Sequence, residues 1–580
     1  MRFRRTLAVA ALTAVAVATA VASGAPAGAS RLQKPPRPPR EVDVQLLALN
    51  DFHGNIEPPA GSSGRVGTVT AGGAEFLATH VAALEAENPR RTFVVSAGDL
   101  IGASPLLSAL FHDEPTIEAM NQIGLDFNAV GNHEFDEGAT ELLRMQEGGC
   151  HPVDGCQDGT GFSGARFDFL AANVVDEGGD TLFPPYAIED LGKGASIAFI
   201  GMTLEGTPTI VSAAGIQGWT FLDEADTVNA LIPQLQRRGV DAIVVLLHEG
   251  GQPTALDING CAGVTGPIID IVERMSDEVD LVISGHTHQP YSCVFDGTPV
   301  TSAFSFGRLV TDIDMTIDAR TSSVTSLTIN NRIVTRDVPA APGVTELINR
   351  YRVIGAPIAN RPIGHITGDI LRANDTSLEQ PLGNAIADAQ LAATDTPETG
   401  GAVLAFMNPG GVRADLTFAG SAAGEGDGVV TFGEAFTVQP FGNGLLTMTL
   451  TGAQIERVLE QQFCGINSPA NNGFFRVLLP SAALHYTWTR AAAGAASCAT
   501  ANAVDPASIT LGGVPLDLGA TYRVTVNTFL ADGGDGFSVL TEGTDRFGGP
   551  VDTDAFEAYL RAAEPTGISP PATDRIDVIG

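Results

Sequence analysis

The sequence contains little positive charge. Its 580 residues include 32 Lys and Arg against 67 Asp and Glu, which gives a formal net charge of −35 at pH 7. Phosphate backbones repel so acidic a chain, which argues against a nucleic-acid polymer as its partner. Hydrophobic residues make up 44% and charged residues 17% of the chain. This composition is typical of a globular protein, and the length indicates several domains or two large ones.

The sequence also lacks a long hydrophobic run after residue 29, which predicts no membrane span in the mature chain. The N-terminus carries three arginines and then an uncharged run over residues 7–22, which is shorter than a span of ~20 residues. Ala27-Gly28-Ala29 offers a small-residue cleavage site. The pattern predicts a signal peptide over residues 1–29, cleaved near Ala29, and a secreted or periplasmic protein. The Arg4-Arg5 pair also resembles a twin-arginine signal, although Sec export is the default expectation.

No Cys-x-x-Cys pair occurs, which argues against a thiolate zinc site. The six cysteines are an even number, as expected for disulfides in an oxidising compartment. Many pairings are open to six cysteines. Proximity along the chain favours Cys150–Cys156, Cys261–Cys293 and Cys464–Cys498.

Apolar runs and helical stretches alternate along the chain after the Pro-rich linker of residues 30–40. A helix is predicted over 75–87, and a strand of alternating apolar residues over 42–46. Further strands are predicted near 93–95, 128–130, 197–200, 243–247 and 281–283. A predicted helix over 344–354, between PAAP (339–342) and Pro357, is read as a connection between domains. Beyond it we predict a strand over 445–450, a helix opened by a capping box at Thr451 and Gln454 and continuing to 462, and a strand over 522–526. These patterns predict α/β domains over 41–338 and 361–580, joined by residues 339–360.

Polar side chains follow five of the predicted strands at the point where each strand ends. Since α/β sheets place their sites at the carboxyl ends of strands, these side chains are expected to lie together. A single Asp there is usually a turn former and a single His a surface or core residue, so the prediction depends on the five occurring together. The candidate metal ligands are Asp51, His53, Asp99, Asn132, His248, His286 and His288.

The candidate ligands offer carboxylate and amide oxygens and imidazole nitrogens, and no thiolate competes with them. Such a set suits Zn or Mn, with Co and Fe as alternatives, better than Ca. Seven ligands are too many for one tetrahedral ion. They fit two divalent ions that share a carboxylate and lie ~3.5–4 Å apart.

The same residues lie in motifs that resemble the calcineurin-like binuclear metallophosphatases: DxH (51–53), GD (98–99), GNHE (131–134), His248 and GHTH (285–288). The fuller forms LNDFHG (49–54) and GNHEFD (131–136) are similar to the 5′-nucleotidase family of secreted and periplasmic nucleotidases. In the second half, LGN (382–384), NPGGVR (408–413), PFGN (440–443) and FLADGGDGF (529–537) resemble that family's substrate domain.

The resemblance implies an α/β protein made of a four-layered α/β-sandwich metallophosphatase domain, a connecting helix and a second α/β substrate-binding domain. It implies that Asp99 bridges the two metals and that His133 and Asp136 form the catalytic dyad. One metal would be held by Asp51, His53, Asp99 and His288, and the other by Asp99, Asn132, His248 and His286. The implied substrate-binding residues are Arg372, Asn408, Arg413, Phe441, Asn443, Phe529 and Asp535, with the two phenylalanines stacking on a base and Arg413 binding phosphate.

One segment departs from the family pattern. The family carries two basic residues upstream of its LGN-like motif, whereas residues 373–381 contain none and only Arg372 lies at a comparable distance. Glu134 and Glu249 are expected to act at most through the neighbouring ligands. Five further histidines match no motif: His112, His151 and His485 are predicted to be surface or structural residues, and His80 and His365 have no assigned role.

The leading hypothesis is a secreted two-metal phosphohydrolase acting on nucleoside 5′-monophosphates, with nucleoside di- and triphosphates and UDP-sugars as further candidate substrates. An alternative from the same superfamily is a 2′,3′-cyclic nucleotide 2′-phosphodiesterase with 3′-nucleotidase activity, which these motifs do not separate from the first. A different class is a non-catalytic nucleotide-binding surface protein. That class would be expected to have lost a ligand or a dyad residue, and none is missing. Nothing in the sequence sets the oligomeric state.

Overall fold

The computed structural model describes residues 40–59, 61–88, 91–211, 215–420, 424–469 and 474–580. The predicted signal peptide and nearly all of the Pro-rich linker lie outside the described residues. Residues 40–580 form a single unit by their contacts. Within the described ranges, none of the helices combines the length and the apolar character that crossing a bilayer requires.

Two six-stranded sheets lie face to face in the N-terminal half. The first has the strand order Ser323–Ile333, Leu309–Asp318, Glu41–Leu49, Thr92–Ser96, Leu125–Ala129 and Asp168–Leu170. The second has the order Pro290–Phe295, Thr298–Ala303, Leu281–Ser284, Ala242–Leu247, Ala195–Met202 and Tyr186–Gly192. The central strands of both sheets run parallel. All the strands predicted in this half are present. Five are one to four residues longer than predicted, and the strand predicted near 128–130 spans Leu125–Ala129.

Four layers result from how the two sheets bury their apolar runs. Side chains such as Val44 and Val244 form a core between the sheets. Helices cover the outer face of the first sheet: Ala74–Glu85, Glu114–Ile123, Ala139–Glu147 and Pro342–Ala359. Glu224–Arg238 and Pro267–Arg274 cover the second. Because strands covered on both faces have no solvent side, Ala242–Leu247 is apolar and buried at every position.

The connecting helix is longer than the sequence pattern predicted. It spans Pro342–Ala359 and includes Pro357, which the prediction treated as lying beyond its end. A proline in the last turn removes one hydrogen bond, while its fixed φ remains helical. Val344, Leu347 and Tyr351 recur at helical spacing and pack into the core of the N-terminal half, and Gly355, just past the predicted end, is also buried.

The C-terminal half is a second α/β domain built on a five-stranded sheet. Its strand order is Leu479–Pro480, Leu404–Met407, Thr521–Asn527, Gly444–Thr451 and Thr544–Val551. Helices Pro381–Thr394 and Asp552–Ala562 pack into one core of this half, and Gly452–Gln461 packs into the other. Smaller sheets add Pro362–His365 with Val429–Thr431, and Leu484–Thr489 with Thr510–Leu511, Val514–Pro515 and Ile576–Ile579. The capping box at Thr451 and Gln454 is present as predicted.

Three disulfides are present, and each joins the cysteines that lie closest in the sequence. The Cα atoms of the paired residues are 4.8 to 5.1 Å apart. The predicted pairing is therefore confirmed: Cys150–Cys156, Cys261–Cys293 and Cys464–Cys498.

Candidate active site

The predicted metal ligands lie in the loops that follow aligned strand ends. In the first sheet Leu49 lies opposite Ser96, which in turn lies opposite Asn128. In the second sheet Leu247 lies opposite Ser284. The loops after these ends carry Asp51, His53, Asp99, Asn132, His248, His286 and His288. The structure thus brings all seven side chains to one edge of the stacked sheets.

Several of these loops hold their ligands in a left-handed backbone conformation. The φ angles are 51° at Asp51, 47° at His53, 51° at Asp99, 69° at His286 and 52° at His288. Non-glycine residues seldom adopt this region, and such strain concentrates at functional sites. Backbone hydrogen bonds hold the loops together, with Asp51 N donating to the Gly98 carbonyl at 3.0 Å and His53 N to that of Asp99 at 2.9 Å.

Asp51, His53 and His288 form one group of potential ligands. His53 Nδ1 donates to the Gly102 carbonyl at 2.8 Å, so Nε2 carries the lone pair. That Nε2 lies 3.0 Å from His288 Nε2 and 3.6 Å from Asp99 Oδ2. His288 Nε2 is 3.3 Å from Asp51 Oδ1. Burial lowers the pKa of His53 well below its ordinary value, which keeps this ring neutral and able to bind a metal.

Asp99, Asn132, His248 and His286 form the second group. His248 Nδ1 faces the Ala97 carbonyl at 2.8 Å, and its Nε2 lies 3.0 Å from Asp99 Oδ2 and 3.1 Å from Asn132 Oδ1. His286 Nδ1 is 3.0 Å from the same Asn132 oxygen. Burial opposes a charge on the His248 ring, yet Asp99 raises its pKa to about 10. The position between these atoms therefore demands a positive charge, which a proton or a metal ion can supply.

The donor set fits two divalent ions. Each group presents nitrogen lone pairs and carboxylate or amide oxygens to a common point, and Asp99 Oδ2 lies 3.0 Å from His248 Nε2 of one group and 3.6 Å from His53 Nε2 of the other. Asp99 is 1% exposed. Burial would raise its pKa, but His248 and His133 hold the pKa well below the ordinary value. A bridging carboxylate that stays ionised is what a binuclear site needs.

Glu134 fastens two of the ligand loops to each other. Its carboxylate accepts N–H groups from Asp99 at 2.9 Å, Leu100 at 2.8 Å and Gly131 at 2.6 Å. Burial, together with the nearby Asp99, raises its pKa to about 7. The sequence placed Glu134 beside ligands, and these hydrogen bonds show how it can act through them. Glu249 is likewise buried and accepts the N–H of Gly250 at 2.8 Å.

His133 and Asp136 lie beside the candidate metal ligand Asp99. His133 Nδ1 is 2.9 Å from Asp136 Oδ2, and the same oxygen accepts the N–H of Ala103 at 2.9 Å. The His133 backbone N–H donates to Asp99 Oδ1 at 2.9 Å. Although burial opposes a charged ring, Asp136 and Asp99 raise the pKa of His133. Asp136 therefore orients the ring, and the His133 backbone N–H binds the candidate bridging ligand Asp99.

A cavity of about 970 Å³ opens over the centre and is lined by both halves of the chain. Asp51, His53 and His248 are fully buried and do not line it. The other predicted site residues all line it: Asp99, Asn132, His133, Asp136, His286, His288, Arg372, Asn408, Arg413, Phe441, Asn443, Phe529 and Asp535.

The C-terminal half contributes two half-buried aromatic rings to the cleft. The Phe441 ring is stacked at 5.7 Å on the ring of His133, and Arg413 Cζ lies 5.8 Å from the Phe441 centroid. The Phe529 ring covers Gly534 so closely that a Cβ there would lie 2.5 Å from it. Glycine at 534 is therefore required for this ring position.

Polar side chains of the same half are arranged around these rings. Asn408 Nδ2 donates to Asp535 Oδ2 at 3.1 Å and is fixed in turn by Asn527. Arg372 Nη1 donates to the backbone carbonyls of Val412 and Arg413. Arg372 thus holds the loop that carries Arg413.

Among the cleft residues that the sequence analysis did not assign to the site are the polar residues Asn374, Gln380 and Arg476. Asn374 and Gln380 lie in the segment 373–381, which has no basic residue, and nothing in its sequence distinguishes these two from their neighbours. Arg476 lies in no motif. Only the folding of its segment toward Asp535 brings it into the cleft.

His112 and His151, predicted to be surface or structural, are stacked at the edge of the cleft with ring centroids 3.7 Å apart. The His112 ring faces Glu137 Oε2 at 2.7 Å and Asp154 Oδ2 at 2.9 Å. The hydrogen bond to Glu137 is the main reason that the pKa of His112 rises to about 9, with burial opposing it. The positive charge of the His112 ring therefore stabilises the folded state.

Stability should depend on pH through His112. The folded pKa exceeds the unfolded value of ~6.5, so the stabilisation is complete below that value and is lost as pH rises through about 9. Tm measured from pH 6 to pH 9.5 should show that His112→Gln is most destabilising at pH 6 and least at pH 9.5. His485→Gln, at a ring that contacts a backbone carbonyl, is the control. If the loss of Tm in His112→Gln were the same at every pH, the stabilisation would not come from the charge of His112.

Each half of the chain matches a known protein family. The family model for calcineurin-like phosphoesterases matches residues 44–290, and that for the 5′-nucleotidase C-terminal domain matches residues 362–542. Endonuclease YhcR of Bacillus subtilis is 30% identical over 90% of this chain, which spans 40% of the length of YhcR.

Two further proteins are similar to this chain over most of their own length. The cell wall protein Lmo0130 of Listeria monocytogenes is 32% identical over 91% of this chain and 68% of its own length. The crystal structure of a 5′-nucleotidase precursor from Thermus thermophilus superposes with a TM-score of 0.74 at 26% identity, covering 93% of this chain and 99% of the other. The chain belongs to the 5′-nucleotidase family of calcineurin-like, metal-dependent phosphohydrolases.

Proposed function

We propose that the protein removes the phosphate group from nucleoside 5′-monophosphates and also accepts nucleoside di- and triphosphates and UDP-sugars. One observation carries the proposal: His133 and four of the ligand side chains of one half share a cleft with Arg413 and the two aromatic rings of the other. A nucleotide in this cleft can reach both sets at once. The similar Thermus thermophilus structure, that of a 5′-nucleotidase precursor, supports this choice of substrate.

Two divalent ions, Zn or Mn in the first place and Co or Fe as alternatives, are proposed to bind the seven ligands. Bound there, they would lower the pKa of a water molecule and offset the charge of the phosphate. Asp99 serves both ions in this assignment. Asp51, His53 and His288 complete one site, and Asn132, His248 and His286 complete the other.

The remaining roles belong to side chains of the cleft. His133, oriented by Asp136, donates a hydrogen bond or a proton to the departing oxygen. Arg413 donates to the phosphate, and Arg372 acts by holding the Arg413 loop. The base stacks between Phe441 and Phe529, and polar contacts to the nucleoside come from Asn408, Asn443 and Asp535.

The proposed place of action is outside the cytoplasm. Disulfides persist in oxidising compartments, and the structure contains three of them. The N-terminal sequence pattern of residues 1–29 supports export by a signal peptide.

Removing one aromatic face should weaken nucleotide binding selectively. Phe529→Ala is expected to raise KM for 5′-AMP by about 5- to 150-fold, the equivalent of ~1–3 kcal/mol of stacking. Hydrolysis of p-nitrophenyl phosphate, which has no base, should change little. Phe441→Ala should show the same selectivity, with an added effect on both substrates because Phe441 also contacts His133.

Phe547→Ala is the matched control, since that ring lies exposed on an edge strand away from the cleft lining. Equal losses with both substrates in Phe529→Ala would mean that this ring supports packing rather than base binding.

A phosphate-release panel tests the proposed function as a whole. The enzyme is assayed with 5′-AMP, 3′-AMP, 2′,3′-cyclic AMP, ATP and UDP-glucose in the presence of each of several divalent metals. We expect the highest kcat/KM with 5′-AMP. A preference for 3′-AMP or 2′,3′-cyclic AMP would instead establish the cyclic phosphodiesterase alternative, and no release from any of them would favour a non-catalytic binding protein.

A further inference from the structure

Arg476 brings a second positive charge to the catalytic centre from the C-terminal half. Arg413 and Arg476 both line the cleft that also contains the candidate ligands His286 and His288. Arg413 Cζ lies 5.8 Å from the Phe441 ring, whereas Arg476 Nε lies 3.5 Å from Asp535 Oδ1. The two arginines therefore enter the cleft from different segments of the C-terminal half.

The Arg476 guanidinium is buried but weakly held. Its side chain is 13% exposed, with Nε 3.5 Å from Asp535 Oδ1 and Nη1 3.4 Å from Asn467 Oδ1. Both distances exceed those of good hydrogen bonds, and a guanidinium has five N–H donors. Its Cζ lies 5.6 Å from the Phe474 ring. Among the described residues, no closer polar partner of this group is found, so it retains donors for an anionic ligand.

The position of Arg476 indicates which part of a ligand it would contact. It adjoins Asp535, which the proposed function assigns to the nucleoside, and it lines the same cleft as His286, which the proposed function assigns to a metal ion that would bind the reacting phosphate. In a nucleoside monophosphate no further charged group lies between the ribose and the reacting phosphate. In a nucleoside diphosphate the phosphoryl group attached to the ribose lies there.

We propose that Arg476 is a specificity-determining residue that binds the non-transferred phosphoryl group of nucleoside 5′-diphosphates. This inference rests on the proposed function and deepens it. In the reaction, the oxygen of water bonds to the terminal phosphorus, and the bond from that phosphorus to the bridging oxygen breaks. The nucleoside monophosphate departs with the bridging oxygen, inorganic phosphate forms, and one proton is released near neutral pH.

The segment 373–381, which lines part of the cleft, supports the same inference. Residues 373–381 carry no positive charge, and Asn374 and Gln380 line the cleft there instead. Arg372 uses its Nη1 group to hold the backbone of Val412 and Arg413. Arg476 therefore supplies, from another segment, a cation for a second phosphoryl group.

The test compares wild type, Arg476→Gln and Arg476→Lys with ADP, AMP and p-nitrophenyl phosphate. For Arg476→Gln we expect kcat/KM for ADP to fall by about 10- to 100-fold, the range for losing charge-assisted hydrogen bonds. The value for AMP should fall by less than about threefold on the same scale, and that for p-nitrophenyl phosphate should not change. Arg476→Lys should recover part of the ADP activity, because it restores the charge without the fork of donors.

Arg490→Gln is the matched control, since Arg490 contacts Trp488 and the Thr376 carbonyl away from the cleft lining. Equal losses with ADP and AMP, or no loss with either, would overturn the role of Arg476 while leaving the proposed function intact. Wild-type enzyme that hydrolyses p-nitrophenyl phosphate but neither nucleotide would overturn the proposed function, and this inference with it.

Discussion

Replacing Asp99 with Asn is expected to reduce kcat/KM for 5′-AMP by on the order of 10³–10⁴-fold, since metal ions supply several kcal/mol of transition-state stabilisation. Asp99 contacts ligands of both groups: its Oδ2 lies 3.0 Å from His248 Nε2 and 3.6 Å from His53 Nε2. Asn has almost the same shape but no negative charge, so both sites should lose affinity together. Kinetic assays and elemental analysis of the same preparation measure both effects.

The comparison with His288→Ala makes this prediction specific. His288 belongs to one group only, so its loss should leave the His248 and His286 site filled and reduce activity less than Asp99→Asn. Asp43→Asn is the control, because Asp43 is exposed on the same sheet and bonds to Thr316. If Asp99→Asn retained two ions per chain, Asp99 would not be the shared ligand.

His133→Ala should leave both metals bound and lower kcat by roughly 10²–10⁴-fold, the range for losing a general acid or a charge-stabilising donor. The ring is bonded to Asp136, and its backbone N–H reaches Asp99 whatever the side chain. The ligand loop should therefore keep its conformation in the variant. Steady-state kinetics with 5′-AMP and metal analysis measure the two outcomes.

His80→Ala is the control for this histidine, since its ring contacts the backbone of Thr335 and does not line the cleft. Asp136→Asn should show a smaller loss of kcat than His133→Ala, because it disturbs the orientation of the ring without removing it. Loss of one metal in His133→Ala would make His133 a ligand rather than a member of the dyad.

The layered fold could be predicted because its signals are local. Buried parallel strands read as continuous apolar runs, as in Ala242–Leu247, and the capping box at Thr451 marks a helix start within four residues. The end of the helix Pro342–Ala359 could not be read in this way. Gly355, beyond the predicted end at residue 354, is buried beside Leu107 and Leu110 of the N-terminal half, and local sequence does not contain such a contact.

The candidate site also contains residues that the sequence could predict and residues that it could not. The seven ligands directly follow strands, so alignment of strand ends was enough to predict that they lie together. The role of Glu134 could not be predicted, because the three N–H groups that it accepts come from two loops that are separate in the sequence. Arg476 was missed because its significance arises only where the folded chain brings its segment to Asp535 and into the cleft.

The most direct test of the two-metal assignment is titration of metal-free enzyme with Zn or Mn, following 5′-AMP hydrolysis and bound metal together. Chelation should reduce the activity to background, because seven converging ligands with one shared carboxylate leave the chemistry dependent on the ions. The activity should return on adding metal and level off at two ions per chain. Full turnover by metal-free enzyme, or saturation at a single ion, would contradict the account.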